Sequence, residues 1–166
     1  RGALLTVADL DTDRLAWAKR DLGAKVVDVN AIYDVAADVF APNAMGAVLN
    51  DATIPRLAAK VVAGSANNQL AEDRHGADLA ARGILYAPDY VINAGGIINI
   101  SHEGRAYSRD EAMAHCVRIH DTLAEIFERA KRESRPTNEI ADQLAEERIS
   151  RRRAGLDEGR LRMAAG

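Results

Sequence analysis

An α/β fold, with a parallel sheet covered by helices on both faces, is what this sequence predicts, and three observations carry the prediction. Short apolar runs of β type alternate with helical or turn-rich segments from Ala3 to Ala87. Two of those runs lead straight into small and amide residues, Val61-Val62-Ala63-Gly64-Ser65-Ala66-Asn67-Asn68-Gln69 and Tyr86-Ala87-Pro88-Asp89-Tyr90-Val91-Ile92-Asn93-Ala94-Gly95-Gly96-Ile97-Ile98-Asn99-Ile100. Beyond Ile100 the apolar period becomes helical.

Ala3 to Ala8 reads as the first strand, ended by Asp9. Asp11-Thr12-Asp13 is a capping cluster, after which Leu15, Trp17, Ala18 and Leu22 give a helix that Gly23 can stop in the left-handed conformation. Lys25–Val29, Val39–Ala41 and Lys60–Ala63 follow as strands, with a short linking helix around Ile54–Leu57. Ala71–Arg82 is predicted helical up to Gly83, and Ile84–Ala87 is the fifth strand. From Ser108 onward Met113, Val117, Ile119, His120, Leu123, Ile126 and Phe127 recur at helical spacing, and Thr137–Arg152 forms another helix after the Arg135-Pro136 break. The tail from Ala154 has no clear apolar face and is expected to fray.

Composition narrows the functional classes. A chain of 166 residues, 48% apolar, is one domain's worth and can bury a core. No run approaches the roughly 18–20 apolar residues of a membrane span, and a net charge of −3 gives no electrostatic footprint for nucleic acid. Arg151-Arg152-Arg153 reads as a solvated helix end. Cys116 has no partner for an internal disulfide and is expected as a packed thiol in a reducing compartment, hence a cytoplasmic protein. His75, His102, His115 and His120 show no metal-ligand spacing, so no metal is expected. The N-terminal apolar run is too short for a signal peptide, and the chain opens directly into a strand, as a fragment starting mid-fold would.

In an open α/β sheet the ligand crevice lies outside the carboxyl ends of the strands. That rule selects Asp9, Pro42–Met45, Ser65–Asn68 and Asp89–Asn93. An ordinary tight turn accounts for the Asn93-Ala94-Gly95-Gly96 stretch taken alone, as a helix cap accounts for Asp9. The recurrence of the same chemistry at two strand ends favours a binding site.

These stretches resemble the cofactor-binding half of the glutamate, leucine, phenylalanine and valine dehydrogenase family, with the leucine-type branch nearest. The resemblance runs from Ala3 to about Arg151. Its most specific parts are Gly64-Ser65-Ala66-Asn67-Asn68-Gln69-Leu70 with Glu72-Asp73-Arg74-His75-Gly76, then Tyr86–Ile100, then Ala145-Glu146-Glu147-Arg148-Ile149. It implies a doubly wound, Rossmann-type parallel sheet that lacks its first strand and glycine-rich turn, followed by C-terminal helices. G-x-G-x-x-G is indeed absent, and the strand that carries it is central in the order 3-2-1-4-5-6. The implied division is a partial dinucleotide-binding domain over 1–100, helices packing back on it over 101–153, and a disordered tail over 154–166.

The resemblance also assigns roles. Asp9, with Leu10 beside it, would meet the adenosine ribose and favour NAD, since a carboxylate there repels the 2′-phosphate of NADP. Ala41, Asn43, Ala44 and Met45 match the segment along the adenosine side, although the family often carries cysteine where Asn43 stands. Ala66, Asn67 and Asn68 match the stretch near the nicotinamide ribose and substrate, and Asn93 the amide that helps hold the reacting end. Amides orient but do not titrate near neutral pH. Asn67, Asn93, Ile97 and Ile100 match positions of the substrate pocket; two branched aliphatic side chains suit leucine, isoleucine or valine and disfavour a glutamate carboxylate. Core packing accounts for either isoleucine singly.

The two lysines that in the family activate water and hold the substrate carboxylate have no counterpart in this chain. The full enzyme would pass a hydride from the amino acid α-carbon to NAD, and water would convert the resulting imine to a 2-oxo acid and ammonia. The expectation is a homo-oligomer when full length, and a fragment that holds no catalytic residue and is inactive alone. A phenylalanine- or glutamate-preferring relative is the alternative among enzymes. A noncatalytic nucleotide-binding or interaction module is the alternative outside them.

Overall fold

The computed structural model describes residues 2–104 and 107–164, with side chains as far as Ala154. The end of the expected tail, residues 165–166, lies outside the described residues, as does Arg1. All described strands pair in parallel, in two sheets. The first joins β1 (Thr6–Val7) to β2 (Lys25–Val26), with Thr6 opposite Lys25 and Val7 opposite Val26. The second runs β3 (Ala37–Phe40), β4 (Ala59–Val62), β5 (Leu85–Tyr86), in that spatial order. Set against the order 3-2-1-4-5-6, β2-β1 and β3-β4-β5 are the outer parts of a doubly wound sheet. No described strand holds the central position between β1 and β3.

Local chemistry explains most element boundaries. In α1 (Thr12–Leu22) Asp11 caps the N-terminus, its carboxylate accepting from the amides of Asp13 and Arg14 at 2.9 and 3.1 Å. Gly23 at φ 65° ends it. The short linking helix read around Ile54–Leu57 is present as a 3₁₀ helix over Ile54–Arg56. The helix expected from Ala71 begins four residues later, as α2 (His75–Ala81). Leu70 pairs with Leu49 in an isolated parallel bridge, and the Ala71 amide donates to the Leu49 carbonyl at 2.9 Å, which keeps this segment extended. Asp89–Ile92 forms α3 and Gly95–Ser101 forms α4, so Asn93 follows a helical turn and not a strand.

The core lies between β3-β4-β5 and its helices. Leu49, Ile54, Leu57, Val62, Leu79, Ile84 and Tyr86 form one buried cluster, each large apolar side chain contributing about 1.5–3 kcal/mol on burial. A second cluster of Ile126, Ala130, Ile140, Ala141 and Leu144 joins α5 (Arg109–Glu133) to α6 (Thr137–Ala164). Backbone helix continues to Ala164, past Arg152, where the sequence pattern ends it and fraying was expected.

α6 docks through polar contacts at its first turn. Thr137 Oγ1 donates to the Tyr86 carbonyl at 2.7 Å, and Asn138 Nδ2 to the Asp73 carbonyl at 3.1 Å. Gly76 makes room for it, since a Cβ there would lie 2.0 Å from Asn138 Oδ1. Among the described residues no helix is long and apolar enough to cross a membrane.

Candidate functional site

The loops that leave β3 and β4 are interlocked at backbone distance. A Cβ on Gly64 would lie 2.1 Å from the Pro42 carbonyl oxygen, and one on Gly46 would lie 2.8 Å from that of Asn67. Ala66 N–H donates to the Pro42 carbonyl at 3.0 Å, and Ala47 N–H to the Asn68 carbonyl at 2.7 Å. Ala47 and Asn68, facing each other across that bond, both hold the left-handed conformation, at φ 56° and 52°.

Side chains complete the lock. Asn43 Oδ1 accepts from the amide and hydroxyl of Ser65 at 2.8 and 3.0 Å. Where the family often carries cysteine, the Asn43 side chain ties the two loops together. Gln69, fully buried, donates through Nε2 to the carbonyls of Gly64 and Ala66 at 2.7 and 2.9 Å. It was missed as a site residue, and the available signal was a third amide directly after the Asn67-Asn68 pair.

The third loop arrives through β5 and α3. Asn93 Nδ2 donates to Asn67 Oδ1 at 2.6 Å, and the same group lies 3.4 Å from the Ser65 carbonyl. Beneath them Asp89 is buried and accepts from Asn68 N–H at 2.8 Å and from Tyr86 Oη at 2.6 Å. Burial, then the Asp89 carboxylate, push the Tyr86 phenol up, so it remains a donor.

The structure thus brings Asn43, Ala66, Asn67, Asn68 and Asn93 into one hydrogen-bonded group beyond the carboxyl ends of β3, β4 and β5. Ala66 is buried, with its N–H held by the Pro42 carbonyl and its own carbonyl by Gln69 Nε2, so it packs the loop. Ala41 and Ala44 are exposed on the β3 loop, as is Met45, 72% exposed. Asp9 and Leu10 lie on the other sheet, beyond β1. Asp9 Oδ1 accepts from the Asp11 amide at 3.0 Å, so it takes part in the cap cluster as well as standing at a strand end. Ile97 and Ile100 are 65% and 58% exposed on α4. Among the described residues neither isoleucine, nor Asp9, nor Leu10 shares a hydrogen bond with the asparagine group.

Two histidine clusters lie apart from these loops. His75 is buried, with the Glu72 amide donating to its Nδ1 at 2.9 Å and Asp51 Oδ1 3.4 Å from its Nε2. Sequence spacing did not pair it with carboxylates, yet Asp51, Glu72 and His75 bring ligand-type atoms within 4.8 Å of one another. Arg74 already donates to Asp51 at 2.7 Å and to Glu72 at 3.0 Å, holding both carboxyls below their ordinary range. A cation would have to displace that guanidinium. His102 Nε2 lies 3.1 Å from His115 Nδ1 between α4 and α5, and burial, then Arg118 and His102, depress the His115 pKa.

The family model of the glutamate/leucine/phenylalanine/valine dehydrogenases matches residues 5–153. The chain belongs to that family. Leucine dehydrogenase of Geobacillus stearothermophilus is 52% identical over 148 residues, 89% of this chain and 40% of that protein. Phenylalanine dehydrogenase of Thermoactinomyces intermedius is 44% identical over 152 residues, 90% of this chain and 42% of that one. The crystal structure of L-tryptophan dehydrogenase from Nostoc punctiforme superposes with a TM-score of 0.86 at 47% identity, covering 89% of this chain and 44% of that chain. This family member therefore spans about 40% of the length of the curated relatives it matches. An α/β amino acid dehydrogenase fold with parallel strands and C-terminal helices follows from the family and the structure together.

Proposed function

We propose that this chain is the NAD-binding half of an amino acid dehydrogenase that oxidatively deaminates a branched-chain L-amino acid, leucine in type, to the 2-oxo acid and ammonia. The observation that carries the reading is the convergence of Asn67, Asn68 and Asn93 outside the carboxyl ends of β4 and β5, with Asn93 donating to Asn67 at 2.6 Å. The residues present fit the two ends of a dinucleotide. Gly46 and Gly64 keep the loops at backbone contact and free of Cβ atoms, and amide donors and acceptors gather where a nicotinamide would be held. Asp9 stands at a strand end, where it would accept from the adenosine ribose hydroxyls and turn away a 2′-phosphate.

When bound, NAD supplies the hydride acceptor. The chain's own part is to orient: Asn67, Asn68 and Asn93 fix the reacting ends, and Ile97 and Ile100 offer an apolar face to a branched side chain. Kinetics of the full-length protein test this. Leucine with NAD should give a kcat/KM well above phenylalanine, tryptophan or glutamate, and above leucine with NADP. A preference for an aromatic amino acid or for glutamate overturns the substrate reading, and equal use of NADP overturns the role of Asp9. The 166-residue chain alone should show no turnover; measurable deamination by it overturns the assignment of the chemistry to residues elsewhere. The full-length protein is proposed to be a cytoplasmic homo-oligomer, checked by sedimentation.

A further inference from the structure

We propose that Asp89 is the positioning residue that holds the Asn67–Asn68 turn and Asn93 in one rigid unit, an inference that rests on the reading of these asparagines as the ligand-orienting groups. Asp89 touches both halves of the unit. Its Oδ2 accepts the Asn68 amide at 2.8 Å from across the sheet, and its backbone carbonyl accepts the Asn93 amide at 2.9 Å along α3. Asn67 and Asn93 then meet side chain to side chain at 2.6 Å. One residue therefore sets the separation of two loops that arise from different strands.

The carboxylate is not used on its own helix. Pro88 caps α3 without a side-chain bond, and Asp89 directs Oδ1 to Tyr86 Oη at 2.6 Å and Oδ2 to Asn68. The Asp89 amide donates back to Tyr86 Oη at 3.2 Å, which closes a ring around the phenol. Tyr86 is itself fixed, buried in the core cluster with its carbonyl accepting from Thr137 Oγ1 of α6. The clamp is thus anchored to the most deeply packed part of the molecule.

At the other end it stabilises an uncommon backbone. Asn68 sits at φ 52° with its carbonyl taken by Ala47 N–H at 2.7 Å and its amide taken by Asp89. With the amide and carbonyl of Asn68 both held, the turn cannot flip, and the Asn67 side chain keeps its direction. A charged acceptor on a backbone N–H is about twice as strong as a neutral one. That strength suits a position where a non-glycine residue must stay left-handed.

The test is amide hydrogen exchange and side-chain resonances of the ¹⁵N-labelled chain without nucleotide. In Asp89→Ala, Asn68 exchange should rise about tenfold or more, and the Asn93 side-chain amide should move toward its free shift, while core amides of β4 and α5 keep their protection. Asp89→Asn, which retains an acceptor of the same shape, should restore much of both. Unchanged Asn68 and Asn93 signals overturn the proposal, as does a loss of protection spread evenly over the core. Should Asp89→Ala not fold, Tyr86→Phe removes the donor to Oδ1 and the acceptor of the Asp89 amide while leaving the carboxylate on Asn68, and should raise Asn68 exchange by a smaller factor; no change there also overturns it. These signals need no ligand, so they judge the clamp alone. Failure of the site reading shows separately, in the amino acid and cofactor kinetics of the full-length protein.

Discussion

The β1-α1-β2 layer and the β3-β4-β5 sheet are written in the same pattern, parallel strands joined through helical or turn segments, and they are packed very differently. The first buries only Ala18 and Ala24 among its apolar residues, leaving Leu4, Leu5, Leu10, Trp17, Leu22 and Val26 exposed. The second closes Leu49, Ile54, Leu57, Val62, Leu79, Ile84 and Tyr86 into one cluster. Parallel strands are stable when flanked and covered on both faces. β4 is flanked by β3 and β5, whereas β1 and β3 each face the central position that no described strand occupies. Val39 of β3, the strand of the packed sheet next to that position, is exposed. Pattern alone does not make a core; strand neighbours together with cover on the faces do.

Four measurements sharpen or break this contrast. Leu79→Ala, in the packed sheet's cluster, should cost about 2–5 kcal/mol, read as a fall in the urea midpoint by far-UV circular dichroism. Leu10→Ala, in the open layer, should stay within about 0.5 kcal/mol. Equal effects would mean that the layers are packed alike.

Glycine substitutions separate crowding from backbone conformation. Gly64→Ala drives a Cβ to 2.1 Å from a backbone oxygen and should cost about 1–3 kcal/mol or more, with changed Ser65 and Asn43 resonances. Gly23→Ala meets nothing within 4 Å but needs φ +65°, a penalty of about 1–2 kcal/mol with no change at the asparagine loops.

Trp17 is the sole tryptophan and reports the open layer alone. Its fluorescence transition in urea should precede the circular dichroism transition. Coincident transitions would show one cooperative unit and end the distinction.

The smallest effect is electrostatic. Arg56 holds the Asp34 carboxyl below its ordinary range and Arg74 does the same for Asp51, while Gln143 and then Arg129 lower Glu147. A depressed folded-state pKa gives stability that is present above the unfolded value and is lost as pH falls through the folded one. The circular dichroism midpoint should therefore decline below about pH 4, modestly, because these pairs are solvent-exposed. Arg74→Gln should remove the share due to Asp51 and Glu72, leaving a shallower decline in the same window.

What the sequence by itself determined is the part encoded in neighbouring residues. Strand and helix order, the Asp11 cap and Gly23 stop of α1, the start of α5 near Ser108 and the Gly64–Gly76 motif were all legible, because caps and periodicity act over a few positions. Tertiary structure decided where those pieces meet. Asn43 reaches Ser65 over 22 residues, the same offset that pairs Ala37 with Ala59, so strand register continued into the loops made its side chain a tie between them. Asp89 reaches Asn68 over 21 residues and Asn93 reaches Asn67 over 26, and Gln69 was placed beneath the loop by burial. The late start of α2 and the docking of Asn138 on Gly76 likewise depend on partners distant in sequence. Such contacts follow from register and packing of whole strands and helices, which no short window of residues contains.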